Sequence, residues 1–394
     1  MPPEKHYYTT TKLFEQSLDI YRPKAAAAAG DWRKSGDAPT TVVVLVVGSA
    51  WLGHRAWVYS GTSWWNSSGP RAVADAGRIC VCVRHRGSYM RTFSVLTMAF
   101  LGVVAALAAT LAYAVLGESA WKLLEERIGK GIGGDVFGRM VGVFFVAYAT
   151  GIVLMALGGI GSASFDDMQH DVMDALAWLH ANEVKLGLDR HPTTKRGGGY
   201  SNEVEWKYRR RRLFVFGGYS SGGHVAATVT QNAALWMDRN LPKPRVHCDS
   251  MLYISPVLAT RAYDAVLRKA PAFKWSSYTA PTVRLTNRVM EAVFDPIAVA
   301  AVPSPILTYD RSPRVPHVFV GCKNEMMFGL TWLDTFFCSS DYSGLLNGMG
   351  IESRYRSIRS DHWKILGSSE LRDVLGEELG RIERECRTKG NKAK

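Results

Sequence analysis

The chain has 394 residues, enough for one large domain or two ordinary ones, and 47% of them are apolar, so a sizeable core can be buried. Its formal net charge of +13 suits a nucleic acid or an anionic membrane surface. No zinc finger, RNP-like motif or other recognition element accompanies that charge, so the sequence argues against a nucleic-acid partner.

The first ninety residues predict a polar beginning followed by two buried strands. Residues 1–40 look polar and poorly specified, without the apolar stretch of a signal peptide. The runs TVVVLVV (41–47) and ICVCV (79–83) are apolar and rich in β-branched residues, as in central strands of a parallel sheet. The six cysteines of the chain lack CxxC spacing, which indicates neither zinc nor a disulfide framework and favours a reducing compartment.

Two uncharged stretches then predict a transmembrane hairpin over residues 92–161. Residues 92–117 would form a helix of about 39 Å and residues 140–161 one of about 33 Å, against a hydrocarbon core of roughly 30 Å. A charged loop separates them, and small residues suit close helix packing in lipid. The alternative is a pair of buried core helices in a large soluble protein.

After the hairpin, the pattern alternates between helices and strands. Predicted helices cover 166–182, 224–236 and about 331–348, and predicted strands cover 213–216, 251–254, 317–320 and about 353–358. Such alternation indicates an α/β fold with a mostly parallel central sheet flanked by helices. We expect residues 41–91 and 162–380 to form this domain, with a helical cap at about 257–315 and a basic tail at 381–394.

The most informative motif is Gly218-Tyr219-Ser220-Ser221-Gly222, a G-x-S-x-G pattern between a predicted strand and a predicted helix. A sharp turn there would strain the serine backbone, and glycines would avoid a clash. The turn would lift the hydroxyl above the sheet at the positive end of the next helix. The motif therefore predicts Ser220 as a nucleophile, whereas the residues flanking Ser221 do not fit such a turn.

A nucleophilic serine needs a base and an acid, which in this arrangement follow it in the order Ser, Asp or Glu, His. His362 lies in a loop after the last predicted strand and is the predicted base, whereas His224 and His317 are better explained as structural residues. Glu325 is the first carboxylate after the strand at 317–320 and is the predicted acid. A solvated Glu325, with another carboxylate serving instead, stays open.

Backbone N–H groups would have to stabilise the negative charge on the substrate oxygen. The first strand ends in small residues, so the N–H groups of Ser49 and Ala50 are candidates for this oxyanion hole, together with that of Ser221. The sequence indicates no cofactor and no metal.

These segments together resemble the α/β-hydrolase group that contains isoprenylcysteine methylesterases and kynurenine formamidases. The resemblance covers roughly residues 41–375 and is most specific at GYSSGGHVAA (218–227), which is similar to GxSAGAHIA. Its other segments are VGSAWLGHRAW (47–57), which is similar to an HGGAW-like oxyanion segment, Arg84-His85-Arg86, Gly187-Leu188-Asp189, Ser255-Pro256 and Asp295-Pro296.

The chain departs from this group in three places. The oxyanion segment lacks the leading His and one Gly, and the acid motif Gly-x-x-Asp reads Gly321-x-x-Asn324, with Glu325 one place later. Asn324 in the acid position would weaken the orientation of His362. The predicted hairpin is an insertion that the group does not require.

The sequence and the resemblance together lead to one expected function. We expect a membrane-attached serine hydrolase that cleaves a lipophilic or prenylated carboxylic ester through an acyl-enzyme, with membrane lipids as its other partners. An amidase or formamidase of the same fold and a catalytically inactive membrane scaffold stay open. The expected location is a membrane crossed twice, with the endoplasmic reticulum and the Golgi as candidates and the catalytic domain in the cytosol.

Overall fold

The structure is a computed structural model that describes residues 3–23, 41–49, 51, 64–87, 163–188, 212–237, 246–260, 302–323, 338–362 and 364–392. The strands are β1 (Glu4–Tyr7), β2 (Ser17–Tyr21), β3 (Thr41–Val46), β4 (Ile79–Val83), β5 (Leu213–Tyr219), β6 (Ser250–Ile254), β7 (His317–Cys322) and β8 (Ser353–Ile358). The α-helices are α1 (Trp64–Asp75), α2 (Phe165–Ala181), α3 (Glu183–Leu186), α4 (Ser221–Gln231), α5 (Ala233–Trp236), α6 (Ser339–Gly348) and α7 (Ser369–Lys392). Short 3₁₀ helices cover Phe14–Gln16, Pro305–Arg311 and Ile365–Gly367.

The strands form one sheet in the order β1-β2-β4-β3-β5-β6-β7-β8. The pairs β1–β2 and β2–β4 are antiparallel, and every other pair is parallel. The predicted α/β architecture, a mostly parallel sheet flanked by helices, is therefore confirmed. Because parallel strands end at one edge, the chain segments that follow β3, β5 and β8 come together there.

Strand β3 shows why the sheet is buried on both faces. Val42, Val44 and Val46 pack into one apolar core with residues of α2, α4 and α6. The alternate residues of the strand pack into a second core with residues of α1 and α7. The apolar run from Val42 to Val46 is what a strand covered by helices on both faces requires.

Helix α2 confirms the helix predicted at 166–182 and begins at a capping box. The Ser164 hydroxyl accepts the Asp167 N–H at 3.1 Å, and the Asp167 carboxylate accepts the Ser164 N–H at 2.7 Å. Just before this helix, the Ala163 N–H donates to the Gly87 carbonyl at 3.2 Å. The chain therefore returns at residue 163 to the point it leaves at residue 87.

The expectation of a poorly specified segment at 1–40 is wrong for its first part, where β1 and β2 extend the sheet. Asp19 lies in the middle of β2, and aspartate is depleted in strands. The Arg84 guanidinium forms a buried ion pair with Asp19, which makes the buried position possible. Arg84 lies 65 residues further along the chain than Asp19, so the sequence around β2 alone does not predict a strand.

The predicted boundary at residue 380 is also wrong, because α7 continues without a break to Lys392. Leu379 and Ile382 on either side of that boundary are both buried. Arg381 forms ion pairs with Glu352, Glu378 and Glu385, so its charge belongs to a network on the folded domain. Of the predicted basic tail, only residues 393–394 lie beyond this helix, and they are outside the described residues.

The predicted hairpin at 92–161 and most of the predicted cap, at 261–301, lie outside the described residues. In the part of the chain that is described, no helix combines the length and the hydropathy needed to cross a bilayer.

Candidate active site

The turn between β5 and α4 places Ser220 at the carboxyl edge of the sheet. Ser220 has φ 54° and ψ −128°, a strained conformation that a non-glycine residue rarely adopts. Three backbone hydrogen bonds hold it there: its N–H donates to the Ile254 carbonyl at 3.1 Å, and its carbonyl accepts the N–H groups of His224 and Val257, each at 3.2 Å. The surrounding backbone therefore imposes the strain.

Two glycines of the motif leave the space that this turn needs. A Cβ atom at position 218 would lie 2.6 Å from the carbonyl carbon of Gly222. One at position 222 would lie 2.3 Å from the Val46 carbonyl oxygen at the end of β3. Because both obstacles are backbone atoms, neither can move aside, and only glycine fits.

His362 contacts Ser220 from a loop that follows β8. Its Nε2 lies 2.9 Å from the Ser220 Oγ, within hydrogen-bonding distance, although 142 residues separate the two. His362 is 1% exposed and Ser220 is 9% exposed. The structure thus brings together two of the three predicted triad residues in a geometry that lets an imidazole take a proton from a hydroxyl.

The third predicted residue, Glu325, lies outside the described residues, as does Asn324. The last described residue before them is Lys323, whose N–H donates to the Ile358 carbonyl at the end of β8 at 2.8 Å. The first residue after β7 therefore lies beside the end of β8.

The predicted oxyanion residues fall into three different situations. The Ser49 N–H donates to the Ser221 Oγ at 2.9 Å, so this N–H ties the loop after β3 to the serine turn. Ala50 lies outside the described residues. Ser221 is the first residue of α4, in the turn where a helix has backbone N–H groups without helical partners and carries a partial positive charge.

His224, weighed above as an alternative base, has both of its ring nitrogens bonded to protein groups. Its Nδ1 accepts the Trp51 indole N–H at 3.1 Å, so its Nε2 carries the hydrogen and donates to the Pro303 carbonyl at 2.9 Å. Burial lowers the pKa of His224 to about 4. His317 is likewise buried within β7, and burial lowers its pKa to about 4.

The Arg84-His85-Arg86 segment follows β4 at the same edge of the sheet, and its two arginines bind side chains of β2 and α2. The Arg84 guanidinium contacts Asp19 and donates to the Ser17 hydroxyl at 2.9 Å. Arg86 binds the Asp171 carboxylate of α2 through its side chain and its backbone N–H. These buried and partly buried pairs fix α2 and β2 against β4.

Sequence reasoning missed the contacts that Trp51 and Tyr219 make in the site. Trp51 stands in the segment compared above with an oxyanion motif, and Tyr219 is the variable residue of G-x-S-x-G, so the motif gave no signal for either side chain. Among the described residues, no group of three His, Cys, Asp or Glu side chains is placed to hold a metal ion.

Comparison with known proteins identifies the fold. No protein-family model matches the chain, and no curated sequence does. Among solved structures it is similar to esterase B from Lactobacillus Rhamnosis (HN001), with a TM-score of 0.55 and 11% identity over 99% of this chain and 88% of that one. It is also similar to a truncated carbohydrate esterase from gut microbiota, with a TM-score of 0.50 and 13% identity over 97% of both chains.

A further similar structure is the same esterase B in a tributyrin phosphonate-inhibited form, with a TM-score of 0.52 and 11% identity over 99% of this chain and 87% of that one. At these identities the likeness concerns the fold. The chain has an α/β-hydrolase fold.

Proposed function

We propose that the chain is a serine hydrolase that cleaves a carboxylic ester. The observation that carries the proposal is the 2.9 Å contact between the Ser220 Oγ and the His362 Nε2, made at a strained turn between a strand and a helix. Strain of this kind persists only where the surrounding structure enforces it, and it is concentrated at functional sites. That the similar solved structures are named esterases adds to this support.

The proposed reaction proceeds in two steps. Ser220 Oγ attacks the ester carbonyl carbon while His362 Nε2 takes the hydroxyl proton, and the bond to the alcohol breaks as His362 returns that proton to the leaving oxygen. Water then attacks the acyl-enzyme with His362 as base, which releases the acid and restores Ser220. We assign stabilisation of the oxyanion to the N–H groups of Ser221 and Ala50, and orientation of His362 to Glu325.

The Ser49 N–H does not serve as an oxyanion donor in this proposal, because it already donates to the Ser221 Oγ. We assign it the positioning of the loop instead. The proposed hole then has two N–H donors, those of Ser221 and Ala50.

A fluorophosphonate probe, which reacts with activated serines, tests the proposed nucleophile. The wild-type chain is expected to be labelled and Ser220→Ala to remain unlabelled. Ser255→Ala is the matched control, because Ser255 is another buried serine with positive φ (38°) at a strand end, and its hydroxyl contacts Cys322. Equal labelling of wild type and Ser220→Ala would contradict the proposal.

A panel of substrates separates ester cleavage from the alternatives. Short-chain esters, long-chain esters and formyl amides are offered at equal concentration, and we expect the esters to be cleaved faster. Preferential cleavage of formyl amides would indicate an amidase. A chain that neither labels nor turns over any substrate would be an inactive scaffold.

We further propose that the enzyme is attached to a membrane of the endoplasmic reticulum or Golgi through the hairpin at 92–161 and acts there on lipophilic or prenylated esters. The support is the pair of uncharged runs at 92–117 and 140–161. Because the Ala163 N–H bonds the Gly87 carbonyl, a short linker can join the two points.

Replacing residues 88–162 with a short Gly/Ser linker tests the attachment. We expect the variant to move from the membrane fraction to the supernatant while it keeps its activity on short esters. A wild-type chain found in the supernatant, or a variant that stays with membranes, would contradict the proposed anchor.

A further inference from the structure

Tyr219, the residue before Ser220, holds His362 by two separate contacts. The Tyr219 hydroxyl donates to the His362 backbone carbonyl at 2.6 Å. The two rings are stacked, with centroids 5.2 Å apart and planes inclined by 23°. One contact fixes the backbone of His362 and the other restricts the rotation of its imidazole.

The loop around His362 secures its own flanks by local hydrogen bonds. The Ser360 N–H donates to the Ile358 carbonyl at 2.9 Å, and the Asp361 carboxylate accepts the Lys364 N–H at 2.9 Å. These bonds shape the loop but do not connect it to the nucleophile. Tyr219 supplies a connection across the sheet, since β6 and β7 lie between β5 and β8.

The backbone of Tyr219 is itself fixed relative to Ser220. Tyr219 is the last residue of β5 and is paired with Ile254 of β6. A glycine at position 48 leaves room for its ring, because a Cβ atom there would lie 3.0 Å from the Tyr219 Cδ1 and 2.8 Å from the Ser220 Cβ. The tyrosine side chain is therefore a short, stiff link between the nucleophile's strand and the base.

We propose that Tyr219 is a positioning residue that sets the distance and orientation of His362 relative to Ser220. The inference rests on the proposed hydrolase function. The acid motif Gly-x-x-Asp ends in Asn324 in this chain, and an amide there orients His362 more weakly than a carboxylate would. A second residue that orients His362 is therefore needed more in this chain. Tyr219 works by geometry alone and exchanges no proton with the substrate.

Two variants of Tyr219 test the role, with turnover of a short activated ester as the readout. Tyr219→Phe keeps the stacked ring and loses the hydroxyl, so we expect kcat to fall roughly 10-fold with KM unchanged. Tyr219→Leu loses both contacts, and kcat should fall roughly 100-fold. The graded loss, with partial rescue by the conservative variant, separates positioning from general destabilisation.

Tyr8→Phe is the matched control. Tyr8 is buried, and its hydroxyl also donates to a backbone carbonyl, that of Arg84 at 2.9 Å, at the far end of the sheet. It should lower the thermal midpoint as much as Tyr219→Phe does and leave kcat unchanged. Unequal kcat at equal stability is the signature of positioning.

The outcomes distinguish this inference from the proposed function. If Ser220→Ala is inactive but both Tyr219 variants turn over like wild type, the positioning role is wrong and the hydrolase stands. If the Tyr219 and Tyr8 variants lose activity only in proportion to lost stability, the role is again overturned. A wild-type chain without activity or labelling would overturn both.

Discussion

Two buried imidazoles near the Ser220 turn have opposite surroundings. His224 lies four residues from Ser220, yet both of its ring nitrogens bond protein groups, the Trp51 indole and the Pro303 carbonyl. His362 lies 142 residues away, and its Nε2 meets the Ser220 hydroxyl. Both rings are almost fully shielded from solvent, at 0% and 1% exposure.

The difference between these two regions shows that neither burial nor closeness in sequence identifies a base. The His224 ring packs against Phe165 and Trp51, and its hydrogen bonds fix one neutral tautomer. The His362 ring is stacked on Tyr219 and directed at a hydroxyl. A catalytic base differs from a core histidine in the group that its Nε2 faces. That group is the Ser220 hydroxyl for His362 and the Pro303 carbonyl for His224.

The largest expected effect comes from changing one histidine at a time to asparagine. His362→Asn removes the proton acceptor, so kcat should fall by about 10⁴-fold or more. His224→Asn should leave kcat within about fivefold and lower the free energy of unfolding by about 1–3 kcal/mol, because the Trp51 N–H and the Pro303 carbonyl lose a partner. Steady-state kinetics and denaturant unfolding of both variants check this, and the reverse assignment of losses would contradict the comparison.

Much of this contrast could be predicted from the sequence. The strand runs at 41–47 and 213–216, the glycines around Ser220 and the loop position of His362 follow from local pattern and chain order. The contact between Ser220 and His362 was expected, and the structure places the two side chains within hydrogen-bonding distance.

Features that depend on distant partners could not be predicted. Strand β2 needs Arg84 to neutralise Asp19, and Arg381 in α7 pairs with the distant Glu352 as well as with two carboxylates of its own helix. Helix α1 contains Pro70 and a run of small and polar residues, so its sequence lacks a clear helical apolar stripe. In each case at least one stabilising contact comes from another element, which a local sequence window does not contain.

A second prediction concerns the turn that holds Ser220, the residue that His362 contacts. Gly222→Ala would place its Cβ 2.3 Å from the Val46 carbonyl oxygen, so we expect a loss of roughly 3 kcal/mol or more in unfolding free energy, together with loss of activity. Gly344→Ala in α6 is the control, since a Cβ there meets nothing within 4 Å. That variant should be neutral or gain up to about 1 kcal/mol. Equal stability of the two variants would show that the turn has room.

The smallest expected effect is the pH dependence that the buried neutral histidines impose. His224 and His317 have pKa values of about 4 in the folded chain, below the ordinary 6.5. As pH falls from 7 to 5, only the unfolded state gains these protons, so each histidine should cost about 2 kcal/mol of stability over that range. Denaturant unfolding at both pH values checks that the free energy of unfolding is lower at pH 5.

His317→Asn isolates one of these contributions from those of the carboxylates. The variant should lose about 2 kcal/mol less than wild type between pH 7 and pH 5. An identical loss of stability in both chains would contradict this prediction. It would mean that His317 takes up a proton in the folded state as readily as in the unfolded state.

The central claim is that Ser220 is activated by His362, and mapping the site of a covalent adduct tests it most directly. After reaction with a fluorophosphonate, peptide mass spectrometry should find the phosphonyl group on Ser220 in wild type and in His224→Asn. The same adduct should be nearly absent from His362→Asn. An adduct on another residue, or equal modification of Ser220 with and without His362, would contradict the claim.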